Sequence, residues 1–308
     1  MESYQKFFDY CIHDNKLIPY WSGVNISRLA TKPIIDYKEY YQFRYPLFSE
    51  DLLHDVEIRK LNNKLLIDIG QWANVDVRTL LDTDEFTFLS ITKKPISSYR
   101  SRVGFEIKIN NHECKNAFNK VKNFLASQLK ISSVILDNLD KAANQIFTEN
   151  DFVTFPISLM GIGKHSEEEI PYAQLYITNN PNTTSGNVNR ISEESALHNA
   201  INIIKMMSID MDLCKLKDLI EFAYSRGAFL CFYGIDIHIN EIKKFKLYFR
   251  FKNVLSTNEV VTIFSKKIHG LNTMSILNAD HIADFIAFTF VPTENNKFIF
   301  DGVQIYQR

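Results

Sequence analysis

Hydrophobic and polar positions alternate most cleanly over "KKFKLYFRFKN", residues 243 to 253. Lys244, Lys246, Tyr248 and Arg250 fall in one phase, and Phe245, Leu247, Phe249 and Phe251 in the other. A period of two with one apolar side predicts a half-buried strand. The same alternation fills "AFLCFYGIDIHIN" (228 to 240), so the two stretches read as a hairpin turning at Glu241 and Ile242. Gly234, inside the first of them, marks a bulge or the close approach of a ligand.

Four more hairpins follow from the same pattern. "FVTFPISLMGIGKH" turns through "SEEE" into "IPYAQLYITN", and "ADFIAFTFVP" turns through "TENN" into "KFIFDGVQIYQR". "EFTFLSITKK" pairs with "SRVGFEIKIN" across "PISSY", and "VEIRKL" with "KLLIDIG" across Asn62 and Asn63, giving a first hairpin over 56 to 69. Between hairpins the period lengthens. Residues 112 to 147 read as two helices joined near Ile131 and Ser132. "SEESALHNAINIIKMM" opens with only part of a capping box, because Ser195 stands where Glu or Gln would complete it. "CKLKDLIEFAYSRG" and "STNEVVTIFSKKIHG" each stop at a glycine, Gly227 and Gly270.

The repeating unit is helix, strand, strand, helix, and no Pro/Gly/Ser-rich linker divides it, so the chain reads as one α+β domain over 1 to 308. Helices after each hairpin cover the apolar face of the sheet. The polar face is then either a wet outer surface or, if the sheet closes, the lumen of a ten-stranded antiparallel β-barrel ringed by helices, wide enough for ligands. An internal echo favours the lumen. The returning strands read "AQLYI", "FKLYF" and "VQIYQ", which places Gln174 and Tyr176, Lys246 and Tyr248, and Gln304 and Tyr306 on the polar side. Tyrosine favours strands and Gln or Lys is common on wet faces, so one match carries nothing. Three matches at equivalent hairpin positions imply a shared task.

Composition narrows the classes. With 308 residues, 45% of them hydrophobic, the chain can bury a large core. Lys plus Arg number 35 against 36 Asp plus Glu, so no global basic field draws nucleic acid or anionic lipid. Cys11, Cys114, Cys214 and Cys231 lack CxxC spacing and fit a reducing cytoplasm. "MESYQKFFDYCIHDNK" holds no signal-peptide core, and "IADFIAFTFV" is too short to span a membrane. The 24 Phe and 14 Tyr suit either a packed β architecture or a pocket for an apolar ligand. GxGxxG, Walker A, HExxH and GxSxG motifs are lacking.

With its "(Q/K)-x-Y" strands and helix-strand-strand-helix rhythm, the chain resembles the aromatic prenyltransferases of the ABBA type. Within it "KFKLY" resembles the "R-x-K-x-Y" strand of the fungal indole enzymes. The resemblance implies transfer of a dimethylallyl group from dimethylallyl diphosphate to an indole-containing or phenolic acceptor in a solvent-filled barrel of ten strands. Cations and amides around the leaving diphosphate would be Lys108, Gln174, Lys244, Lys246, Arg250 and Gln304. Tyr176, Tyr248 and Tyr306 would shield the allylic cation. A carboxylate would hold the acceptor N–H or O–H and take its proton, for which Glu106, Glu85 and Glu57 are candidates. Asp236 and His238, on one face near a turn, are further acid–base candidates or simply a turn-bound polar pair. Asp137 and Asp140 form a DxxD that suits a solvated helix face, and no aspartate-rich metal motif is present. No cofactor is then required, with room for Mg2+ on the diphosphate. The alternatives are a Trp or Tyr side chain of a peptide as acceptor, and a non-enzymatic barrel for an apolar ligand or RNA.

Overall fold

A computed structural model of the chain describes residues 18–27, 34–42, 56–78, 87–88, 91–93, 103–108, 114–149, 157–164, 170–179, 191–268 and 281–307. The first half runs β1 (Ile18–Ser27), β2 (Ile34–Gln42), α1 (Val56–Ala73), β3 (Thr87–Phe88), β4 (Ile91–Lys93), β5 (Val103–Lys108), α2 (Cys114–Gln128) and α3 (Ser133–Glu149). Then come β6 (Ile157–Lys164), β7 (Tyr172–Thr178), α4 (Glu193–Met206), β8 (Asp210–Met211) and α5 (Leu213–Ser225). The chain closes with β9 (Ala228–His238), β10 (Glu241–Ser256), α6 (Thr257–Ser265), β11 (Ile282–Pro292) and β12 (Lys297–Gln307).

The fold is α+β, and its strands form one sheet in the order β3-β5-β6-β7-β9-β10-β11-β12-β1-β2-β4, with β8 beside β12. Every pairing on the path is antiparallel, and only the short β8 runs parallel to its neighbour. The ends of the path, β3 and β4, are consecutive in the chain with residues 89 and 90 between them. The two sheet ends are thus within roughly 11 Å of each other by chain reach.

Apolar-phase residues of the long strands bury against the helices. The Phe249 and Phe288 rings pack tilted with centroids 5.3 Å apart, and the Phe264 ring of α6 lies 5.6 Å from Phe288 and 6.0 Å from Phe251, centroid to centroid. Tyr233 of β9 is fully buried on this side and donates to the Ala196 carbonyl of α4 at 2.8 Å. Helix ends follow their local chemistry. Ser256 and Glu259 complete a capping box at α6, Asp212 accepts from the Cys214 and Lys215 amides at α5, and Gly227 takes a φ of 77° just past α5.

Three expectations are corrected. Residues 56 to 69 lie in helix α1 and form no hairpin. Leu61, Leu65, Ile69 and Trp72 recur every three or four residues, which is helical spacing, and Asn62–Asn63 is simply passed through. The first hairpin is instead β1–β2, paired from Ile18↔Gln42 to Ser27↔Ile34. Of the described residues between 85 and 94, Thr87 and Phe88 pair with β5 as expected, while Ile91 to Lys93 pair with β2 instead. The β9–β10 turn comes earlier than expected, at Ile239 and Asn240, with His238 opposite Glu241 and Ile239 at a φ of 50°. Among the described residues the sheet has twelve strands, three of them the short pieces β3, β4 and β8.

Candidate active site

Register aligns the polar-phase residues into rows across the sheet, because directly paired residues share a face. One row runs Glu106, Gly161, Gln174, Asp236, Lys244. The next holds Lys108, Leu159, Tyr176, Gly234, Lys246, Thr289 and Gly302. A third holds Phe232, Tyr248, Ala287, Gln304, Asn25 and Asp36, and a fourth Arg250, Phe285, Tyr306, Gly23 and Lys38. The small residues Gly161, Gly234, Gly302 and Ala287 sit among large ones in these rows.

The face so formed is enclosed at its centre. Gln174, Asp236, Lys246 and Gln304 are between 2% and 6% exposed, values that a wet outer face would not give. Here Lys246 donates to both Asp236 oxygens at 3.0 Å, and Gln174 Nε2 donates to Asp236 Oδ1 at 2.8 Å. Ammonium and carboxylate therefore neutralise each other away from water. Removing one partner of such a pair costs about 3–5 kcal/mol, because the other charge is left buried.

The tyrosines gather beside this pair. Tyr176 and Tyr248 have ring centroids 5.7 Å apart, and Tyr248 and Tyr306 5.8 Å apart. Tyr306 donates to the Tyr248 hydroxyl at 3.4 Å, and Tyr176 to Gln174 Oε1 at 3.5 Å. With Ala287, Phe232 and Phe285 they form a small apolar cluster separate from the main core. Gly234 makes the arrangement fit. A Cβ there would stand 2.8 Å from Tyr248 Cε2 and 3.4 Å from Lys246 Cβ, so what approaches this glycine closely is the site's own side chains.

The remaining candidates divide by position. Arg250 is exposed and lies over the Phe285 ring at 5.6 Å, and Lys244 is exposed near the turn. His238 is half-buried and closes the hairpin opposite Glu241, while Asp236, two residues earlier, turns to Lys246 and Gln174. Register puts Glu106 in the row of Asp236 and Lys108 in the row of Lys246; their side chains lie outside the described residues, as do Glu85 and the Glu57 side chain. Asp137 and Asp140 both pair with Lys122 of α2, at 3.5 and 3.0 Å, which accounts for the DxxD. Among the described residues no cluster of His, Cys, Asp and Glu is arranged to hold a metal, and no helix is long and apolar enough to cross a membrane.

Sequence reading missed Asn25, Asp36 and Lys38, which pairing brings into the rows of Gln304 and Tyr306. It also missed Phe232, Phe285 and Ala287, whose phase was readable once the hairpins were set.

No protein-family model matches the sequence, and the search of curated proteins returns no match. Solved structures do match. The crystal structure of the prenyltransferase PriB in its apo form covers 99% of this chain and 89% of its own, with a TM-score of 0.57 and 10% identity. The 6-dimethylallyltryptophan synthase from Micromonospora olivasterospora, in complex with DMASPP and Trp, gives a TM-score of 0.52 and 10% identity over 93% of this chain and 81% of its own. A further 6-dimethylallyl tryptophan synthase gives 0.54 and 10% over 93% and 80%. The chain therefore has the fold of the aromatic prenyltransferases that its sequence resembles.

Proposed function

We propose that this protein transfers a dimethylallyl group from dimethylallyl diphosphate to an indole-containing or phenolic acceptor. The observation that carries the reading is the band of half-buried Tyr176 and buried Tyr248 and Tyr306, which meets the Lys246 stem over Gly234 and the Gln174 amide, on the enclosed face of this fold. In this scheme residues 1 to 308 act as one domain, and the sheet closes into a barrel through 87–93, a reading supported by the consecutive sheet ends.

Ionisation of the allylic C–O bond leaves a diphosphate anion and an allylic cation. Lys246, Gln174 and Gln304 hold the anion, with Lys108 in the same row as Lys246. Arg250 stands about 13 Å further along β10 by strand rise. With Lys244 it serves the exposed ends, where positive charge draws the anion in. The tyrosine rings stabilise the cation and exclude water that would quench it. The acceptor ring attacks the cation, forming the new C–C bond, and then gives up a proton to a carboxylate, for which the row position favours Glu106. The scheme needs no cofactor and leaves room for Mg2+ on the diphosphate.

Trp is bound in the complex with the Micromonospora enzyme, and an indole acceptor is the first to test here. Incubation with radiolabelled dimethylallyl diphosphate and a panel of indoles, phenols and Trp- or Tyr-containing peptides should move label to an indole. Recovery of intact diphosphate with every acceptor would overturn the reading, and label moving only to peptides would replace the small-molecule acceptor.

A further inference from the structure

The geometry points to Asp236 as a positioning residue that keeps Lys246 protonated and aimed for an allylic diphosphate, and so not as the base of the reaction. This rests on the transferase reading above. Asp236 is 5% exposed and accepts three N–H bonds, from Lys246 on both oxygens and from Gln174 on Oδ1. A carboxylate so engaged, facing an ammonium, is held in its anionic form and is a poor proton acceptor near neutral pH. The same contacts work in the other direction on Lys246. A lysine that is 6% exposed would shed its proton readily without a counter-charge, since burial penalises the ammonium. Asp236 supplies that counter-charge.

The backbone builds this deliberately. Lys246 is paired across the sheet with Gly234, and Asp236 is the next residue in the same phase, so Lys246 reaches it diagonally over a position with no side chain. Gln174, directly paired with Asp236, donates through Nε2 and leaves Oε1 to accept from Tyr176. The network thus sets the Lys246 amine, the Gln174 amide and the Tyr176 hydroxyl together. The groups on this face that share the field are Tyr176 and Gln174 on β7, Asp236 and His238 on β9, Lys244 and Tyr248 on β10 and Thr289 on β11. Register adds Glu106 and Lys108 on β5.

The consequence is a pH signature. Without Asp236 the lysine pKa falls; its charge is present below that lowered value and lost as pH rises through it. Calorimetry with a thiolodiphosphate analogue of dimethylallyl diphosphate reads this without turnover. In the wild type Kd should change less than about threefold between about pH 6 and pH 9, because a paired lysine keeps its proton there. In Asp236→Asn it should rise at least about tenfold over the same window. Adding Lys246→Arg to Asp236→Asn should flatten the profile again, because a guanidinium does not deprotonate in that range.

If Asp236→Asn fails to fold, nitrogen NMR of the lysine amines in the wild type, assigned through Lys246→Arg, decides. Lys246 should not titrate below about pH 9, and a midpoint near neutrality overturns the inference. Wild-type and Asp236→Asn profiles of equal slope also overturn it, whether kcat stays unchanged or falls about a hundredfold at every pH as loss of a general base would give. Failure of the wild type to bind the analogue at all overturns the transferase reading itself.

Discussion

The Tyr306 hydroxyl stands 3.4 Å from that of Tyr248, across a strand whose intervening residue is Ala287. Ala287 is the register partner of both Tyr248 and Gln304, and a larger side chain there would lift the two rings apart. Tyr248 also meets Tyr176 on its other side, so it is the middle ring of the band. If that band shields the allylic cation, the ring matters more than the hydroxyl. Tyr248→Ala should divert substrate to dimethylallyl alcohol, lowering the ratio of prenylated acceptor to alcohol by roughly thirtyfold, the equivalent of a desolvated cation–π contact of about 2 kcal/mol. Tyr248→Phe keeps the ring and should lower the ratio by less than about threefold. Chromatographic partition of labelled product between acceptor and alcohol measures both, and equal losses in the two variants would count against a ring-based shield.

Gly234 yields a sharper steric test. Its absent side chain is filled by Tyr248 and by the stem of Lys246, at 2.8 and 3.4 Å from where a Cβ would stand. Gly234→Ala must therefore push the tyrosine ring off β9. Overpacking of this kind costs about 1–3 kcal/mol. Urea denaturation should show that loss, and affinity for the thiolodiphosphate analogue should fall with it, because the Lys246 stem moves too. Stability lost with affinity intact would separate the tyrosine's packing from the lysine's placement.

Legibility in the sequence tracked the length and purity of the alternation. Strands β9 to β12 alternate over eleven residues or more, and both of their hairpins form, β11–β12 turning where the pattern placed it and β9–β10 two residues earlier. Strands β1 and β2 also alternate, with Gly23, Asn25 and Ser27 in one phase and Asp36, Lys38 and Tyr40 in another, but Tyr and charged residues stand on both sides of β2 and blur it. No short turn pair joins them, so a helix containing Asn62–Asn63 looked more like a hairpin than the hairpin did. At the site, the Gln/Lys-x-Tyr echo located the enclosed face because it repeats in phase. That Asp236 is bound to Lys246 was not legible, since the contact is diagonal across two strands and depends on Gly234 being empty.

Helix α4 is tied to the sheet by Tyr233, whose hydroxyl donates to the Ala196 carbonyl at 2.8 Å from the fully buried face of β9. Burial pushes this phenol well above its ordinary value, so it stays a protonated donor throughout the working range. Tyr233→Phe removes the donor and leaves the carbonyl without that bond. The loss should be about 1–2 kcal/mol by denaturant midpoint, with kcat/KM changed less than about twofold, since Tyr233 lies on the helix side of the sheet. A large change in kcat/KM would mean that the α4 contact sets the geometry of the opposite face.

Cys231 on β9 and Cys214 on α5 make a paired reactivity test. Cys214 is exposed, while Cys231 is half-buried and its thiol is pushed up to about 12, chiefly by desolvation and against a smaller opposing pull from Arg250. Only the thiolate reacts, so at about pH 7.5 iodoacetamide should label Cys214 well before Cys231, as read by peptide mass spectrometry. The linkage to folding has a definite sign. A group whose folded value is raised contributes fully below its unfolded value, and that contribution is lost as pH climbs toward the folded one. Cys231→Ser should therefore lessen the fall in stability between about pH 8.5 and the alkaline limit of folding, without altering the acid side. Labelling of Cys231 as fast as Cys214 at neutral pH would show that its thiol meets water, and that β9 opens beside Arg250 in solution.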